Sequence, residues 1–185
     1  MHPTSSLRRL IELHLAAYRA VHREPMSARS ADGQPRLENW TAAMRGPEIF
    51  LTGRVTGHSQ LGDTRIRTSA LVHVSSDRTY ARTLSRWYKL GSAFTPSLPD
   101  EHADGVFPGY LVSVDGETIS LPLHMALRFT SKRPQQVADL AFRAGYDDLV
   151  PELTRLAKAW PNMPKENSFQ ASQPFKNSNF FASEP

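Results

Sequence analysis

The stretch from Ile49 to Gly91 constrains this chain most, because apolar and polar side chains alternate through it. Successive side chains of a strand point to opposite faces, so alternation marks a half-buried sheet. Three antiparallel strands are expected: Ile49 to Thr56, Arg65 to Val74, and Thr79 to Leu90. The linkers HSQLGD and SSDR hold the Gly, Asp and Ser that turns use. On the first strand Ile49, Leu51 and Val55 oppose Phe50, Thr52, Arg54 and Thr56. On the second, Ile66, Thr68, Ala70, Val72 and Val74 oppose Arg65, Arg67, Ser69, Leu71 and His73. A sheet with one apolar face needs a cover, and helices at the two ends of the chain are placed to supply it.

Charge concentrates in the same stretch. It holds seven basic residues (Arg54, Arg65, Arg67, Arg78, Arg82, Arg86, Lys89) against Asp63 and Asp77, a local charge of +5 in a chain whose total is +4. Arginines and aromatics interleaved on a sheet can follow a phosphate backbone and stack on bases. The same residues can equally keep an exposed sheet soluble and block edge pairing, or meet an acidic protein. Absent cysteine removes disulfides, thiol nucleophiles and cysteine metal sites. No apolar run approaches the ~20 residues that span a bilayer. Arg8, Arg9, Glu12 and His14 interrupt any signal-peptide core, so a cytoplasmic protein is expected, with no membrane contact.

Around the meander the chain divides by pattern. Ser5 to Arg23 has Leu7, Leu10, Ile11, His14, Ala17, Tyr18 and Val21 at helical spacing. Arg36 to Arg45, RLENWTAAMR, reads as a second helix with Leu37, Trp40, Ala43 and Met44 inward, ended by Gly46 and Pro47. Residues 93–109 form an acidic, Pro-rich loop whose Asp100, Glu101, His102 and Asp104 lack the spacing of a metal site. Tyr110 to Val114 and Thr118 to Leu121 flank Asp115-Gly116, a hairpin signal. Short helices follow over LPLHMALRF, over Pro134 to Ala144, and from about Leu149 to Trp160. The expectation is one α+β domain over 1–160, a three- to five-stranded antiparallel meander packed against N- and C-terminal helices. Its parts are N-terminal helices (1–47), the basic meander (48–92), the loop (93–109), and a hairpin with a helical pair (110–160). The tail, 161–185, is polar and cannot form its own core. Its Phe169, Phe175, Phe180 and Phe181 are candidate anchors for a partner.

Three stretches carry resemblances. Val137 to Leu156 resembles a helix-turn-helix, with Leu140, Ala141, Ala144, Gly145 and Tyr146 at the motif's first helix and turn. It departs from the pattern at Pro151 and Thr154, and Asp147 and Asp148 would meet phosphates with like charge. Leu121 to Asp148 is similar to one ankyrin repeat, with His124 as its structural histidine, but no second copy exists to bury its faces. More of the chain is covered by Leu37, Trp40, Gly53, Val55, Gly57, His58, Thr68, Ser69, Leu71, Arg82, Thr83, Ser85, Arg86, Tyr88 and Gly91. These resemble a family of small uncharacterised proteobacterial proteins found on chromosomes, plasmids and prophages. That resemblance implies a discrete bacterial fold and supplies no chemistry.

Catalytic motifs are missing. There is no G-x-S-x-G elbow and no phosphate-binding glycine loop. No catalytic residue, metal or cofactor is therefore assigned. The expected function is a non-catalytic binding or regulatory protein of bacterial or mobile-element origin, of the size of an inhibitor of a host defence nuclease. It would hold a protein partner or nucleic acid, or a second copy of itself. The contact residues would be Arg54, His58, Arg65, Arg67, Arg82, Arg86, Tyr88 and Lys89, with the Phe-bearing tail. A nucleic-acid module working through phosphates is the alternative. A small hydrolase or transferase around His58, Arg67 and Arg86 is the third class.

Overall fold

Residues Arg36–Arg45, expected as a helix, are instead strand β1, and the sheet is assembled around it. The structure is a computed structural model that describes residues 3–23, 33–94 and 117–160. After helix α1 (Pro3–Arg23) come β1, β2 (Glu48–Thr56), β3 (Thr64–Arg67), β4 (Leu71–Val74), β5 (Tyr80–Thr83) and β6 (Trp87–Leu90). Then follow β7 (Thr118–Leu121), α2 (Leu123–Arg143) and α3 (Val150–Lys158). The fold class is α+β as expected, with more strands than the three to five foreseen. The acidic loop, the first arm of the second hairpin and the tail lie outside the described residues.

The helical reading of β1 failed at a β-bulge. Glu38 pairs Arg54 and Thr41 pairs Thr52, so Asn39 and Trp40 together oppose Gly53. Asn39 takes a left-handed φ of 47°, which its short polar side chain tolerates. The extra residue puts Leu37 and Trp40 on the same side, a spacing of three that mimics a helix turn. Trp40 is buried, and its indole N–H donates to the Gly91 carbonyl at 3.0 Å.

Sheet order is β3-β2-β1-β6-β5-β4, and its two ends are consecutive in the chain. Thr68 to Ala70 turn the corner between them, with Thr68 N–H donating to Leu51 O at 2.9 Å. The pairings therefore close into a barrel-like ring of five backbone runs, β3 and β4 being two halves of one bent run. An up-and-down ring with an odd number of runs brings its first and last together pointing the same way. The β1–β6 pairing is accordingly parallel, Arg36 beside Lys89 and Leu37 beside Leu90. Past that point the same edge of β1 is taken over by antiparallel β7, from Ala42–Leu121 to Arg45–Thr118.

Two cores result. The ring's interior holds Leu37, Trp40, Ile49, Leu51, Val55, Leu71, Ala81, Tyr88 and Leu90, with Ala126 from the first turns of α2. The second core lies outside the ring, where Val72, Tyr80 and Trp87 meet Ile11, Leu15, Tyr18, Val137, Ala141, Leu153, Leu156 and Trp160. β4 to β6 are thus buried on both faces, which is why the alternation weakens there. α2 runs unbroken through Pro134, so the two short helices expected on either side of it are one. This rules out the ankyrin-like turn, and His124 sits exposed near the helix start. Gly145 (φ 73°) ends the turn after α2, and α3 packs back against α2 and α1. The turn's carboxylates are tied to α1: Asp148 to Arg8 at 2.5 Å and Glu152 to Arg19. No helix of the described residues is long and apolar enough to cross a membrane.

Candidate functional site

The ring has one covered wall and one open wall. Helices cover β4 to β6, while the outward positions of β1, β2 and β3 and the end of β6 face away from them. Register places the open wall's side chains in rows. Lys89, Arg36 and Thr56 lie side by side across β6, β1 and β2. Glu38, Arg54 and Arg65 make the next row, and Thr52 with Arg67 the one after. Five cations thus share a surface with two carboxylates, Glu38 and Glu48.

Ion pairing there is selective. Glu38 is bonded to Arg36 and also accepts the Ser92 backbone N–H at 2.8 Å, which holds its carboxyl below the usual range. Glu48 takes Arg67 at 2.6 Å, and the Arg67 guanidinium also lies 4.0 Å over the ring of Phe50. Arg54 and Arg65 are exposed and directly opposite one another, with no ion pair to any described residue. Lys89 is likewise exposed and has no such pair. Like charges facing across a strand pair destabilise a sheet, so Arg54 and Arg65 do nothing for folding that two threonines would not do better.

The eight expected contact residues do not form one surface. Arg54, Arg65, Arg67 and Lys89 share the open wall. Arg82 is half-buried on the other wall, 5.9 Å over the Trp87 ring, and Arg86 is half-buried in the turn between β5 and β6. Tyr88 points into the ring and is 3% exposed, so its ring is placed for packing and not for a surface contact. His58 is 8% exposed, and its Nδ1 accepts the backbone N–H groups of Gln60 and Leu61 at 3.2 Å, capping the β2–β3 turn. Phe169, Phe175, Phe180 and Phe181 lie outside the described residues. Arg36 belongs to the open wall and escaped the sequence reading, because the bulge made its strand look helical.

Thr68, Ser69, Thr83, Ser85 and the arginines beside them were a candidate oxyanion site. Their hydroxyls instead fasten the corner of the bent run. Ser69 Oγ donates to Thr83 Oγ1 at 3.0 Å and contacts Ser85 Oγ at 2.9 Å, and it accepts the Ser85 N–H. Thr83, fully buried, donates to the Arg86 carbonyl at 3.1 Å, and Thr68 Oγ1 accepts the Leu51 N–H at 3.0 Å. Arg67 pairs with Thr52, and His58 lies six residues further along that hairpin, about 20 Å at strand rise. His58 and Arg67 therefore sit at opposite ends of the hairpin and do not share a reacting centre.

Elsewhere, aromatic and imidazole rings gather where α1, α3 and β4 meet. Trp160 packs edge-on against Tyr18, His22 and His73 at 5.0, 5.5 and 6.1 Å. Burial lowers His73, with the charge of His22 adding to the effect. Burial, with the Arg133 charge, lowers His14 to about 4, and burial raises Tyr18. Among the described residues no three His, Asp or Glu side chains gather as metal ligands. Residues 5–110 match the model of a family of unknown function, a span that takes in α1 and the ring but stops before α2 and α3. No curated protein and no solved structure matches the chain.

Proposed function

We propose that this chain, which belongs to the family of unknown function DUF6634, is a non-catalytic binding protein that holds nucleic acid by its phosphates on the open wall of the ring. The observation that carries the reading is the Arg54–Arg65 pair, two exposed guanidiniums held face to face without a carboxylate. A polyanion turns that repulsion into attraction, because each guanidinium can fork onto phosphate oxygens. Arg36 and Lys89 extend the positive surface across β1 and β6. Support for a role without catalysis comes from the corner hydroxyls, already engaged with one another and with backbone, and from the distance between His58 and Arg67.

The test is a titration of the full chain with mixed single- and double-stranded DNA and RNA, at ~50 and ~200 mM salt. Each phosphate contact contributes about −0.9 to the slope of log K against log salt on a duplex. Binding in the micromolar range or tighter that weakens steeply with salt, and is abolished in Arg54→Glu/Arg65→Glu, is the expected result. No binding of any nucleic acid at ~50 mM salt would overturn it.

A further inference from the structure

We infer that the nucleic acid taken by the open wall is a duplex, gripped by its two backbones across a groove. This inference rests on the reading of that wall as a phosphate-contacting surface and adds the form of the ligand. It follows from what the wall presents besides charge.

The first argument concerns stacking. Proteins that hold an unpaired strand combine cations with aromatic faces, each stacked base contributing about 1–3 kcal/mol. The outward aromatics nearest this wall are Phe50 and Trp87, and both are covered. Phe50 is 2% exposed beneath the Arg67 guanidinium, and Trp87 is 8% exposed in the helix-covered core. Outward positions that remain open carry Arg36, Glu38, Thr52, Arg54, Arg65, Arg67 and Lys89, none of which offers an aromatic ring to a base.

The second argument is spacing. The cations fall into two groups, Lys89 with Arg36, and Arg54 with Arg65 and Arg67. Lys89 on β6 and Arg65 on β3 are three strand intervals apart, about 14 Å at ~4.8 Å each. A B-form major groove is about 12 Å wide between its backbones. Two positive rims at that separation match the two phosphate walls of a groove. Glu38 lies between the rims, held by Arg36 and Ser92. There its carboxylate faces the open groove, whereas a single strand laid across the wall would have to pass over it. The wall is also the outside of a closed ring, and a convex surface seats in a groove more readily than it cradles a lone strand.

The test compares a labelled 24-base-pair DNA duplex with each of its separated strands by fluorescence anisotropy, using the full chain. Duplex binding is expected to be at least ~10-fold tighter, with little dependence on sequence and a salt slope near −3.6 for four contacts. Arg54→Gln/Arg65→Gln replaces two exposed side chains without an ion-pair partner, so its melting temperature should match that of the parent. Its slope should become shallower by about 1.8. Single strands bound as tightly as the duplex would overturn the duplex inference and leave the phosphate reading standing. Binding with an unchanged slope in that variant would overturn both, because the contacts would lie elsewhere on the protein.

Discussion

Gly53→Ala tests the bulge on which this fold turns, because two physical effects of that change have opposite signs. Adding a Cβ to a strand glycine restricts the unfolded chain and by itself stabilises by roughly 0.5–1 kcal/mol. At Gly53, however, an added Cβ would lie 2.8 Å from the Glu38 carbonyl oxygen, 3.0 Å from Trp40 Cα and 3.1 Å from Leu37 Cγ. The first two atoms are backbone of the neighbouring strand, so no change of rotamer relieves them. β1 must move away from β2 or lose its bulge, and either displaces Trp40 from its bond to the Gly91 carbonyl. Overpacking of this kind costs about 1–3 kcal/mol, and a lost buried hydrogen bond adds about 1. Set against the entropic gain, the expected result is a net loss of about 2–3 kcal/mol. With a urea m-value near 2 kcal/mol/M, the unfolding midpoint falls by about 1–1.5 M. Gly62, at φ 63° with open space around it, is the control. Its alanine variant should lose only about 1 kcal/mol, the cost of a left-handed backbone with a Cβ. A Gly53→Ala protein as stable as the parent, or more so, would refute the reasoning.

Further outcomes can be checked on the same protein. Thr83→Val keeps the shape of a fully buried side chain but removes the hydroxyl that joins Ser69 to the Arg86 carbonyl, and should cost about 2 kcal/mol in chemical denaturation. Thr83→Ser should cost clearly less, and equal losses would assign the effect to the methyl group. Trp160→Ala removes the ring that Tyr18, His22 and His73 surround, for about 3–5 kcal/mol, and should lower the melting temperature by about 6–15 °C; an unchanged melting curve would show that the ring contributes nothing. His14 titrates at about 4 in the fold against an ordinary 6.5, so the unfolded chain takes up its proton first. Its contribution is complete above pH 6.5 and is lost as pH falls towards 4, up to about 3 kcal/mol. Urea midpoints between pH 7.5 and 4.5 should show this loss, and His14→Phe should flatten it; an identical slope in the variant would remove His14 as the cause.

How much of the molecule could be read from its residues depends on whether local pattern and final environment agree. α1 was legible because its buried Ile11, Ala17, Tyr18 and Val21 keep one stripe against one core. β2 was legible because Ile49, Leu51 and Val55 line the ring while Thr52 and Arg54 face outward. β1 was not, since one inserted residue at the bulge changes the spacing of its inward side chains from two to three. The runs from Arg65 to Val74 and from Thr79 to Leu90 each read as one strand. Hydroxyl bonding at Thr68, Ser69, Thr83 and Ser85 divides each of them at a corner. Those hydroxyls looked like possible chemistry only because a sequence cannot show that they meet one another.

The sequence by itself determined the α+β class, the helical N-terminus and the concentration of positive charge between Ile49 and Gly91. These follow from periodicity and composition, which act over a few residues. Tertiary structure alone decided which cations share a surface. Closing the ring brings Arg36 and Lys89, 53 positions apart, side by side, and sets Arg54 against Arg65. The same closure turns Tyr88 inward and sends Arg82 to the covered wall. Register and closure depend on pairings between distant segments, and no local pattern of residues encodes which of those pairings will form.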